Sequence, residues 1–358
     1  MRPVQKGGSH PKYLVPAKFT FSGSAAGPIK RALSLASAID VPLSDCLDAW
    51  LRQVRGDKPL GGTRSDQIEA VQAIRTKVTT SYKRAAVPLT EKLGDFCSFC
   101  ETPVLGLLEV EHCVPKSEYP TFALEWTNFL LACSPCNTAK ANVPSRSTVR
   151  GWAKTPITDE QGYYDEIRSR HYVWADVGGR SHRSLPVCLE SYDPGGDTWT
   201  VLPMDQAAHL DNNIISFDIG KREVRAGIYD PKTNGQVQRI VRARLVPSGA
   251  STTRGQEMVN LCALNENGNL ASPYDRRVLN RTKAWFLCLA SLRNYLAWRG
   301  TASQVAAWTF LLQNSASVGF YSNWLTILCS RDARLARQFV KDSNQTLYYP
   351  GTDTSNLP

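Results

Sequence analysis

The chain has few histidines and a thin scatter of cysteines, five and ten among 358 residues. That cysteine density is far below the roughly 8–10% that marks a disulfide scaffold. The longest apolar pieces, such as Ala284 to Ala290, fall well short of the ~20 residues a membrane span requires. At the start, Met1-Arg2-Pro3-Val4-Gln5-Lys6-Gly7-Gly8 places no apolar stretch behind its charges, so we expect no secretory signal. The expectation is therefore a cytoplasmic, reducing compartment, with no membrane and with thiols free to bind metal.

The cysteines that are present are arranged. Cys97 and Cys100 form one CxxC pair, and Cys133 and Cys136 form another, with 32 residues between Cys100 and Cys133. Each pair brings two sulfurs to one side of a turn, and two pairs make a closed tetrahedral zinc site. The interval is longer than the roughly 15–20 residues of an ordinary zinc ribbon. It holds a polar cluster, Glu109-Val110-Glu111-His112, and an apolar run from Trp126 to Ala132 broken by Asn128. Residues 107–111 alternate with a period near two, which predicts a strand, and Pro115 ends it. Glu111 and His112 are then expected at the strand's exposed tip. A helix is predicted to start near Ser134, with Ser134 capping and Pro135 in the first turn. Asn137 and Lys140, three apart, share one face of that helix. The other six cysteines read as small buried hydrophobes.

Residues 97–140 resemble the HNH endonucleases, the ββα-metal nucleases, in the subgroup whose hairpin and helix are stapled by four cysteines. The resemblance rests on CxxC…EHxxPKS…WxNFLLACxxCNxxK, with asparagine in the last position, an H-N-N variant. It implies His112 as general base, Glu111 and Asn137 as holders of a catalytic Mg2+ or Mn2+, and Asn128 as the residue that bridges the loop and orients His112. Lys140 is a candidate phosphate contact, with Glu109 and Lys116 weaker ones. Glutamate stands before the base where many relatives have aspartate. Three other segments, the MRPV-x-KG start, Asp275 to Trp285 and Gly319 to Trp324, resemble one bacterial branch of these proteins, which implies a role in anti-phage defence and a regulatory partner protein.

Net charge is +10, which suits a phosphate-rich partner, and the resemblance implies that this partner is DNA, as a duplex. The fold class expected is α+β, with helical flanks around the zinc-stapled module. Its parts are a mostly helical region (1–92), the nuclease module (93–145), a mixed strand and loop region (146–250) and a C-terminal helical region (251–358). In the first, helices are expected over Ala32 to Ala38, around Cys46 to Leu51 and over Asp66 to Ile74, the last two separated by Gly61-Gly62. Two rival functions stand beside a DNA nuclease: a zinc-stapled nucleic-acid-binding or scaffold protein that needs a partner, and an RNA-cutting nuclease.

Overall fold

The computed structural model describes residues 2, 4–6, 16–36, 40–57, 59–177, 185–207, 210, 215–218, 221–230, 233–247, 252–266, 275–346, 348–350 and 352–354. His10, His182 and His209 lie outside them, as does the end of the helix expected over Ala32 to Ala38.

The fold is α+β. The N-terminal part carries a small sheet of β1 (Lys18–Thr20) and β2 (Asp40–Pro42), with helices α1 (Ala26–Ala32), α2 (Leu43–Arg55), α3 (Arg64–Lys83) and α4 (Ala86–Leu93). Helix α3 starts at a reciprocal cap. Thr63 Oγ1 accepts from the Asp66 amide at 3.2 Å, and Asp66 Oδ2 accepts from the Thr63 amide at 2.9 Å. Its buried residues Ala70, Val71, Ile74, Val78, Ser81 and Tyr82 recur at helical spacing, so one stripe faces the core and ends at Tyr82. Helix α1 ends at Ala32, earlier than the sequence suggests. The chain turns there to receive the glycine loop, with the Gly61 amide on the Ala32 carbonyl at 2.8 Å and Ser34 at φ +54°.

The centre is a hairpin and a short helix. Strand β3 (Glu109–His112) pairs antiparallel with β4 (Phe129–Ala132), setting Glu111 against Leu130 and His112 against Phe129; α5 (Ser134–Lys140) follows. The next stretch opens with helices α6 (Arg146–Trp152) and α7 (Glu160–Asp165), where strands and loops were expected. Ser145 and Asp159 explain this: each side chain accepts from a first-turn amide, of Thr148 at 3.2 Å and Gly162 at 2.7 Å. The chain then builds a five-stranded antiparallel sheet in the order β6-β5-β9-β8-β7, from β5 (Val187–Asp193), β6 (Thr198–Val201), β7 (Ser216–Asp218), β8 (Glu223–Asp230) and β9 (Gly235–Leu245). A single helical turn, α8 (Met204–Ala207), lies between β6 and β7. Helices return as α9 (Thr252–Leu261), α10 (Arg277–Trp298), α11 (Gln304–Val318), α12 (Tyr321–Arg331) and α13 (Ala333–Gln345). One continuous apolar cluster runs from Val4 to Tyr349, so the flanks and the hairpin share a core.

The C-terminal helices dock on the first CxxC turn through Glu101. Its carboxylate accepts from the Ser322 amide at 2.9 Å and the Ser322 hydroxyl at 2.7 Å, at the start of α12. The Glu101 carbonyl accepts from the Phe320 amide at 3.0 Å. Gly319, at φ +70°, makes that approach: a Cβ there would lie 2.4 Å from the Glu101 carbonyl oxygen and 2.7 Å from Pro103 Cδ. Gly319→Ala is therefore expected to cost about 3 kcal/mol, from backbone strain and overpacking together, read as a lowered melting temperature. A melting curve identical to the parent's would show that this contact is not tight.

Candidate functional site

The four cysteines of the two CxxC turns converge. All four are buried, and their sulfurs lie within 4.8 Å of one another. The Cys100 and Cys133 sulfurs are 3.6 Å apart. A tetrahedron with metal–sulfur bonds near 2.3 Å requires about 3.8 Å between sulfurs, so the cluster has the dimensions of a four-thiolate zinc site. The turns hang on the hairpin, since the Ser98 amide donates to the Leu131 carbonyl at 2.8 Å and the Ser98 hydroxyl accepts from the Leu131 amide at 3.3 Å. Cys133, not Ser134, occupies the cap position of α5, and Ser134 and Pro135 form its first turn. The sulfur cluster thereby fixes where α5 starts.

Side chains along β3 alternate between faces. On one, Glu109 and Glu111 meet α5: Asn137 Nδ2 donates to Glu109 Oε2, and Lys140 Nζ lies 2.8 Å from Glu111 Oε1. Lys140 is fully buried, neither solvated nor placed to touch a phosphate, and its ammonium faces the Glu111 carboxylate. Among the described residues, Glu111 Oε2 and Asn137 Oδ1 have no hydrogen-bond partner, so each keeps an oxygen for a hard cation. Glu109, Glu111 and Asn137 line a cleft of about 310 Å³ together with Tyr82, Lys83 and Lys116.

His112 sits beside this cleft rather than at an exposed tip. It is 2% exposed, because Tyr82 from α3 packs edge-on against its ring at 4.6 Å and Phe129 does so at 5.1 Å. Lys116 Nζ stands 5.0 Å over the same Tyr82 ring. His112 Nε2 is 2.9 Å from the Ala123 carbonyl oxygen. A carbonyl only accepts, so Nε2 carries the proton and Nδ1 keeps the lone pair. Burial, aided by the charge of Lys116, pushes the imidazole pKa down to about 3, so the ring is neutral at pH 7.

Asn128 is fully buried and ties the intervening loop together. Its Oδ1 accepts from the Val114 amide at 2.7 Å, and its Nδ2 donates to the carbonyls of Val114 at 2.9 Å and Phe122 at 3.1 Å. Phe122 adjoins Ala123, the residue that holds the His112 ring. The loop is clamped from outside by two cations that local spacing did not reveal. Lys6 Nζ donates to the Trp126, Thr127 and Phe129 carbonyls, and Arg168 Nη2 donates to the Thr127 carbonyl at 2.9 Å. Both converge on Asp176, at 2.6 and 2.8 Å. Burial works against the Asp176 charge, but Arg168 and Lys6 outweigh it and hold the carboxyl below its ordinary range.

A strand pair, a helix start fixed by four sulfurs, carboxylate and amide groups in one cleft and an imidazole beside it are the anatomy of a ββα-metal centre. The model of the HNH endonuclease family matches residues 97–142, about an eighth of the chain, so this segment is an HNH domain. No curated protein and no solved structure matches. No described helix is long and apolar enough to cross a membrane.

Proposed function

We propose that the chain is a metal-dependent HNH endonuclease that hydrolyses phosphodiester bonds of duplex DNA. The observation that carries this is His112: neutral, held at Nε2 by a backbone carbonyl, with the Nδ1 lone pair left to take a proton from water. Glu111 and Asn137 would hold the catalytic Mg2+ or Mn2+ through their uncommitted oxygens. The bound ion supplies Lewis-acid stabilisation of charge on the scissile phosphate and the leaving oxygen. Asn128 fixes the loop that carries Ala123, and so fixes the tautomer and angle of His112. Lys140 holds the Glu111 carboxylate in place, and Lys83 and Lys116 give the cleft a cationic wall for the phosphate backbone.

The cysteines hold a structural Zn2+ in this reading, and the four-part division at residues 92, 145 and 250 assigns the flanks to substrate and partner binding. An anti-phage role in a bacterial cytoplasm, with a regulatory partner protein, rests on the sequence resemblance alone. Purified full-length protein incubated with supercoiled plasmid and with a structured RNA, in Mg2+, Mn2+ or EDTA, tests the proposal. Nicking or linearisation of plasmid in either metal, lost in EDTA, is expected. Cleavage of RNA alone would give the RNA-nuclease reading, and binding without cleavage of either would give the scaffold reading.

A further inference from the structure

Two arginines of α10, one helical turn apart, lie in the protein interior beside the cysteine cluster. Arg277 is 5% exposed and Arg281 is 2% exposed. Arg277 Nη1 donates to Cys136 Sγ at 3.1 Å and to the Cys262 carbonyl at 2.7 Å, while Nε and Nη2 grip Asp275. Its fork is thus shared between a carboxylate and a sulfur of the cluster. Arg281 has no such anion. Its Nη1 donates to the Leu264 carbonyl at 3.0 Å, and its Nη2 is buried without a hydrogen-bond partner. It makes no ion pair with any described residue. Burial opposes the Arg281 charge, and the groups that favour it without touching it are Cys100, Glu101 and Cys136. A guanidinium in the interior without a direct ion pair is costly, and such groups are found paired or beside a metal centre.

Four thiolates around one Zn2+ carry a net charge of about −2. One buried guanidinium is shared between Asp275 and a ligand sulfur and the other has no ion-pair partner among the described residues, so both present positive charge to a site of negative charge. We propose that Arg277 and Arg281 are the charge partners of the zinc tetrathiolate, so that bound zinc locks helix α10 onto the nuclease domain. Zinc would then act as a joint between two regions 141 residues apart in sequence, counted from Cys136 to Arg277, as well as the staple of a local turn. Partners that hydrogen-bond metal ligands tune affinity by roughly 10- to 100-fold when they are changed.

The inference rests on the zinc reading and is independent of whether the protein cuts nucleic acid. Full-length wild type, Arg277→Met, Arg277→Lys, Arg281→Met and the exposed control Arg276→Met would be compared for zinc content and for loss of zinc to 4-(2-pyridylazo)resorcinol. Arg277→Met and Arg281→Met should lose zinc at roughly 10-fold lower chelator concentration or less, with Arg276→Met unchanged. Arg277→Lys keeps the charge and loses the fork, and should fall between. In cobalt-substituted protein the thiolate-to-metal charge-transfer band should shift in Arg277→Met. If a methionine variant fails to fold, hydrogen exchange of wild type decides: stripping zinc should speed exchange in residues 277–285 before it reaches residues 333–345. Zinc-loaded variants that match wild type in chelator resistance and band position, or a wild type whose α10 exchange is indifferent to zinc, would overturn the inference. Wild type that never carries zinc would overturn the zinc reading itself.

Discussion

His112→Ala is expected to lower plasmid cleavage by at least about 100-fold while leaving the protein folded and its zinc content unchanged. A positioned general base contributes roughly 10²–10⁴ to rate, and alanine removes the whole contribution. Histidine suits the role because its surroundings keep it uncharged. Burial and Lys116 disfavour the protonated ring, and the Ala123 carbonyl fixes the proton on Nε2. The structural cost must be separated from the chemical one. Removing the ring leaves a hole between Tyr82 and Phe129, worth on the order of 2–3 kcal/mol, so rates should be compared well below the melting transition. A His112→Gln variant fills most of that space and restores packing without restoring a base. Both variants should therefore be inactive and only the alanine markedly less stable. Full cleavage by either would place the base on another residue.

Zinc removal is the second large effect. Structural zinc supplies about 10–16 kcal/mol of apparent binding energy in small finger peptides, most of it folding energy. Here all four sulfurs are buried, and the cluster sets the start of α5, which carries Asn137 and Lys140. A strong chelator, or Cys97→Ser or Cys136→Ser, should cost at least about 5 kcal/mol, a fall of roughly 10 °C or more in melting temperature. Cleavage should vanish with it and should not return on adding Mg2+ alone. A protein that melts unchanged after full metal removal would leave packing of the flanks, rather than metal, as the source of its stability.

The motif was legible because its chemistry is local. CxxC pairs, Glu111-His112 and Asn137 lie within one turn or strand of their neighbours, so spacing alone places them. Asn128 was readable for the same reason: it breaks an apolar run at the foot of β4. What was not legible depends on contacts across long stretches of chain. Tyr82 reaches His112 from α3, Lys6 and Arg168 close on the Trp126 to Phe129 carbonyls, and Arg277 reaches Cys136. A period or a quoted segment can include such a residue, as the α3 stripe includes Tyr82, but none names its partner, which lies more than 20 positions away. The tip of β3 was expected in solvent because period-two alternation describes one strand and says nothing of the helix that lies over it.

The covering of His112 by Tyr82 bears on how the module can be moved. Residues 97–142 cannot be lifted out and grafted as a self-sufficient cutting cartridge, zinc or no zinc. A transplant trimmed to the motif would bare the imidazole and return it to water, where its pKa would drift back toward 6.5. It would also strip the loop of both clamps. The smallest portable unit keeps Lys6, α3 and the Arg168–Asp176 pair, so recombination that swaps nucleases between contexts must carry about the N-terminal half of this chain along.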